Sequence, residues 1–256
     1  MLRMRTLIML CVALTIPWTY GADLGISPHR LELHAPAGGI AAGSVTVVTT
    51  STGRQPIAVD TSDWLMDLAG QLVYLPPGTS VHSAASWIDT DTQGFVLEPA
   101  DDHVVRVTVN VPDDAEGTHH AMVMFTLDPS VSAADGVGVT TTTRIALTVY
   151  VTVAGTERTG SELVDMYQRD DRTLAAVILN TGNTVMRLGG VVEIRDEAGD
   201  VVRRLDVPDV PVLRESEREL SFALPDDLEP GFYVALALIE DSRGGVLAGE
   251  LPFDVP

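Results

Sequence analysis

Residues 137–153, VGVTTTTRIALTVYVTV, alternate small or polar side chains with aliphatic ones over most of their length. Side chains that repeat every second residue share one face of an extended chain, whereas a helix would scatter them around its axis. Thr141, Thr143, Ile145, Leu147, Val149, Val151 and Val153 fall on one face, and Thr140, Thr142, Arg144, Ala146, Thr148, Tyr150 and Thr152 on the other. The first face is expected in a core and the second partly in water. The whole of 137–153 reads as one strand that runs the length of a sheet and leads into a linker.

The same period recurs along the chain. Further strands are expected over Ile26 to His34, Ser44 to Ser51, Ile57 to Met66, Gln71 to Leu75, Phe95 to Leu97, Val104 to Val111 and His119 to Leu127. LAGQ at residues 68–71 reads as a hairpin turn and VPDDAEG at 111–117 as a proline-started link. Almost nowhere do apolar residues sit at helical spacing, so the fold class is all-β, built as sandwiches.

Composition changes after Val153, where AGTERTGSE is small and polar. A second set of strands follows in TLAAVILNTGN, GGVVEIRDEAGDVVRRLDV with a hairpin turn near Gly199, ERELSFAL, GFYVALALIE and GGVLAGELPFDV. The expected organisation is a signal peptide at 1–21, a first sandwich at 22–153, a linker at 154–162 and a second sandwich at 163–256. Sandwiches of about 130 and 90 residues are ordinary domain sizes.

The signal peptide is read from Arg3 and Arg5, an apolar run from Thr6 to Trp18 that is short for a bilayer span, and small residues before Ala22. Such a leader implies export, and an uncleaved leader would be the one route to a membrane. The single cysteine, Cys11, lies inside it, so the exported chain has neither disulfide nor thiol chemistry and relies on its apolar cores. All basic side chains apart from histidine are arginines. Removing Arg3 and Arg5 leaves 14 arginines against 36 acidic residues, a net charge of −22. Nucleic acids and anionic membranes would be repelled by that charge.

No constellation of catalytic or metal-binding residues emerges. His119 and His120 are adjacent, hence on opposite faces of a strand, and make a poor metal pair. The acidic pairs Asp101 with Asp102, Asp113 with Asp114 and Asp226 with Asp227 suit turns and lack the twelve-residue calcium-loop pattern. G-x-S-x-G, H-E-x-x-H and phosphate-cradling glycine loops are absent. Trp64 and Trp87 are read as core or inter-sheet residues. The expectation is a protein with no enzymatic activity, no cofactor and no resident metal.

The order of ISPHRLEL, SVTVVTTSTGRQPIAVDTSDW, SWIDTDTQGFVLEPADDHVVRVTV, PDDAEGTHHAMVMFTL and RIALTVYVTV resembles the N-terminal domain of the PapD-like pilus-assembly chaperones. That resemblance covers residues 24–153; the second half matches only as a generic immunoglobulin-like domain. It implies a periplasmic chaperone of two immunoglobulin-like domains that binds a pilin-like subunit or other envelope protein by strand addition. In that family an arginine of the first strand and a lysine of the last grip the subunit's terminal carboxylate. Arg30 matches the arginine; Ala146 stands where the lysine belongs, and Arg144, about 7 Å away on the same face, is the candidate replacement. Val137, Val139 and Thr141 fall at the positions that lend apolar side chains to the subunit. The alternative is a structural or adhesive envelope protein that uses its sandwiches as rigid modules.

Overall fold

The computed structural model describes residues 19–20, 24–127, 130–134, 137–242 and 244–256, and of 19–20, 130–134 and 137–141 the backbone alone. All but two residues of the expected signal peptide, and its cleavage point, lie outside these. In chain order the strands are β1 (Thr19–Tyr20), β2 (Leu24–Ser27), β3 (Arg30–Ala35), β4 (Ile40–Thr49), β5 (Gln55–Met66), β6 (Leu72–Leu75) and β7 (Ile88–Thr90). There follow β8 (Gly94–Leu97), β9 (Asp102–Asn110), β10 (Gly117–Leu127), β11 (Ser130–Ala134), β12 (Val137–Thr141) and β13 (Arg144–Val153). The second half holds β14 (Ser161–Asp170), β15 (Thr173–Asn180), β16 (Met186–Arg195), β17 (Val201–Asp206), β18 (Pro211–Val212), β19 (Glu217–Ala223), β20 (Gly231–Asp241) and β21 (Val246–Val255).

The chain is two β-sandwiches. In the first, a sheet ordered β1-β2-β4-β9-β7 faces one ordered β3-β13-β10-β5-β6, with β8 also on β5. In the second, β14-β15-β19 faces β17-β16-β20-β21, with β18 on β16. The expected alternation is visible in β9, where Val105, Val107 and Val109 are fully buried, and in β13, where every odd-numbered residue from Ile145 to Val153 is buried. These side chains and Phe125 of β10 fill the first core, and Ile178, Ile194 and Ile239 lie in the second.

Three expectations are corrected. The opening stretch is not one strand: β2 pairs with β4 of one sheet, and after Pro28 the chain crosses to pair β3 in parallel with β13 of the other. Pro28 offers no N–H to a ladder, which suits it to the crossing. The long strand 137–153 is also two, because β12 ends at Thr141 and β13 begins at Arg144. Leu127 N donates to Thr143 O, and the next described pair is Ser130 with Thr141. Finally, β14 was not among the expected strands; its burial follows no strict alternation, and its pairing with β15 is interrupted by two register shifts.

The sandwiches are tied together directly. Thr118 N donates to Asn183 O at 2.8 Å, and Glu219 N to Leu68 O at 2.8 Å. Trp64, Met122, Met124 and Tyr150 of the first sandwich form a separate apolar cluster with Leu213 of the second. This explains why β10 is buried on both faces: its odd side chains enter the first core and its even ones meet this cluster. Gly117 has φ +70°, and a Cβ there would overlap the carbonyl of Asn183. Gly117→Ala should therefore destabilise the protein by more than the 1–2 kcal/mol or so that left-handed backbone alone costs an L-residue. A urea midpoint equal to that of the parent chain would contradict this contact.

Candidate functional site

The edge of β13 divides at Thr148. Thr148 N donates to His29 O at 3.1 Å and Ala154 N to Ala35 O at 2.9 Å, so even-numbered residues of β13 turn their backbone groups towards β3. Pairing with β3 runs from Thr148 to Val153 only. By the alternation of the ladder, Arg144 and Ala146 aim their N–H and C=O at the same side, where no strand pairs with them among the described residues. Among the described residues, β12 is likewise paired only with β11. Two stretches thus follow one another along the chain with one edge unpaired among the described residues, β12 and the start of β13 up to Leu147, with Thr142 and Thr143 between them. The side chains of Val137, Val139 and Thr141 lie outside the described residues.

Arg144 lies back across the sheet. Its Nε donates to Thr126 Oγ1 at 3.1 Å, and its Nη2 pairs with Asp60 Oδ1 at 3.3 Å. Both groups of that ion pair are about half exposed, and such pairs are worth at most about 1 kcal/mol, so it can be exchanged for another anion. Arg30 opens β3 opposite Thr148, on the face shared with Tyr150, and its Nε holds Glu32 Oε1 at 2.8 Å. In register, Arg30 is four residues along β13 from Arg144, about 13 Å. The fold places both arginines on one face without bringing them together.

Where the open edge stops, a cleft of about 340 Å³ begins between the sandwiches. Glu32, His34, Tyr150 and Thr152 line it from the first sandwich, and Val185, Arg187 and Ser242 from the second. Arg187 Nε binds Asp209 Oδ1 at 2.6 Å, and its backbone N donates to Ser242 Oγ at 3.0 Å. The bond to Asp209 holds the guanidinium above its usual range and the carboxylate below its own. Burial pushes the Tyr150 phenol up to about 12, opposed by the positive charges of Arg30 and Arg187. One arginine from each sandwich therefore acts on the same hydroxyl. Arg187 was not foreseen, because nothing in VMRLGG marks it until the second sandwich folds against the first. Among the described residues, no group of three or more His, Cys, Asp or Glu could hold a metal ion.

No family model matches the chain, and no curated protein does. Solved structures with a similar course include the CsuC–CsuE chaperone–tip adhesion subunit pre-assembly complex from archaic chaperone-usher Csu pili of Acinetobacter baumannii. That likeness has 12% identity, covers 90% of this chain and 98% of that one, and has a TM-score of 0.48. The class 5 fimbriae chaperone CfaA is similar at 14% identity over 91% of this chain and 99% of its own, with a TM-score of 0.48. The Salmonella enterica SafA pilin in complex with the SafB chaperone gives 10% identity, 92% and 98% coverage and a TM-score of 0.45. These likenesses concern the fold, an all-β pair of sandwiches. Among the described residues, no helix is long and apolar enough to cross a membrane.

Proposed function

We propose that this chain is a periplasmic chaperone-like protein that takes up an extended segment of another polypeptide as an added strand on the edge formed by β12 and β13. The observation that carries the reading is the free row of backbone groups at Arg144 and Ala146, which ends beside the cleft. Unpaired edges are templates for strand addition and are otherwise blunted or covered. The guest would be a pilin-like subunit or another envelope protein in the course of assembly. Its terminal carboxylate would meet Arg30 at the start of β3, beside the cleft that Arg187 lines, and Arg144 would release Asp60 to meet the guest further along. The residues proposed to act are thus Arg30 and Arg144, with Val137, Val139 and Thr141 lending side chains.

Ala146→Pro removes one outward N–H while leaving the bonds from β13 to β10 in place. It should abolish co-purification of the guest from the cells that make this protein, without loss of sheet content. Arg30→Ala should weaken that capture by about 10–100-fold, the worth of one charged hydrogen bond. Undiminished recovery with both variants would overturn the reading. It would favour rigid envelope modules, which the direct ties between the sandwiches also suit.

A further inference from the structure

The loop between β18 and β19 inserts Arg214 into the junction of the two sandwiches, where its side chain is only 9% exposed. Nη1 donates to Glu116 O at 2.8 Å, Nη2 meets Glu215 Oε1 at 3.2 Å, and the buried Nε has no partner among the described residues. His82 and His119 line the same cleft as Arg214, with ring centres 6.1 Å apart. His119 lies 4.2 Å from the ring of Trp87, and its buried Nδ1 also lacks a partner.

The acids around them are already engaged. Glu215 binds Arg214 and approaches His82 Nε2 at 3.4 Å, and Glu116 binds Arg158 at 2.9 Å. Asp114 lines the cleft, and Asp63 is held by Ser80 and Ser83. A proton on either ring adds positive charge beside a guanidinium that cannot move without breaking its bond across the junction.

We propose that this junction is an acid-sensitive hinge: protons taken up by His119, and by His82 beside it, repel Arg214 and release the second sandwich from the first. The proposal is independent of any guest on the strand edge. Burial, then Arg214, hold His82 below its ordinary range and His119 down to about 4 from 6.5. Above about pH 6.5 neither the closed nor the open junction takes the proton, so closure is undisturbed. As pH falls from there towards 4, the open form binds protons that the closed form refuses. Opening relieves the part of this depression that Arg214 causes, so acid shifts the balance towards the open form.

The test uses the full chain with Cys11→Ser and spin labels at Ile40→Cys and Val246→Cys, two exposed positions in different sandwiches. The inter-label distance should be unchanged between pH 8 and 7, then lengthen and broaden by pH 5 while sheet circular dichroism is retained. The double variant His82→Gln/His119→Gln and, separately, Arg214→Gln should keep the neutral-pH distribution at pH 5. A parent distribution that does not move by pH 5 would overturn the hinge. So would a shift that persists in either variant, or one accompanied by loss of sheet signal.

Discussion

Truncating Trp64 to alanine should cost about 3–5 kcal/mol and lower the urea midpoint by about 1–2 M. The indole is 1% exposed and fills the space between the sheet and Leu213 of the second sandwich. It stands edge-on to His120 at 4.8 Å and to Tyr150 at 6.0 Å. Removing it empties a space bounded by β-strand backbone on one side and the other sandwich on the other, which neither can easily collapse to fill. Its Nε1 has no partner among the described residues, so the lost packing is not aggravated by an orphaned acceptor. Trp64→Phe separates the two effects: it keeps an aromatic ring and deletes the unpaired N–H, and should cost less than half as much. Equal losses for the two variants would mean that the indole nitrogen, and not the packing, matters.

The period of two was readable because most strands are half-buried: β9 and β13 each send alternate residues into one core. It carries no information on which sheet a strand joins. Ile26 to His34 therefore reads as one strand although it crosses between sheets at Pro28, and the break at Thr142 and Thr143 is invisible in an unbroken run of threonines. β10 shows the opposite limit, since burial on both faces erases alternation and leaves THHAMVMF looking uniformly apolar with two histidines inside. The site was legible only in part. Arg30 and the strand with Arg144 could be picked out in the first sandwich, where the order of strands resembled a known family. Arg187 and Arg214 meet the first sandwich only when segments more than 150 residues from Arg30 fold against it, and local pattern cannot register that.

Between pH 7.5 and 5 the protein should lose about 2 kcal/mol of stability through His120 alone. This ring is 1% exposed, on the face of β10 opposite His119. A carbonyl only accepts, so the 3.1 Å contact of Nε2 with Trp64 O requires the proton on Nε2 and leaves Nδ1 as a buried acceptor with no hydrogen-bond partner among the described residues. Charging the ring would place a second N–H there with nothing to bind. Burial accordingly holds His120 down to about 4 from 6.5, against the weaker pull of the Trp64 carbonyl. Its folded value lies below the unfolded one, so the unfolded chain takes the proton first; stability is full above about pH 6.5 and falls as pH drops towards 4. The carboxylates held low by arginines, such as Glu193 by Arg195 and Arg204, begin to lose their contribution only below about pH 5. The upper window therefore isolates the histidines. Urea unfolding of His120→Gln at pH 7.5, 6.5 and 5 should show a fall smaller than the parent's by about 2 kcal/mol, and identical slopes would mean that His120 is protonated at no penalty. Trp64 and Tyr150 stand against the ring from its own sandwich, and Arg214 is not among the charges that act on it. The loss at His120 should therefore persist in Arg214→Gln, which separates unfolding of the first sandwich from release of the second.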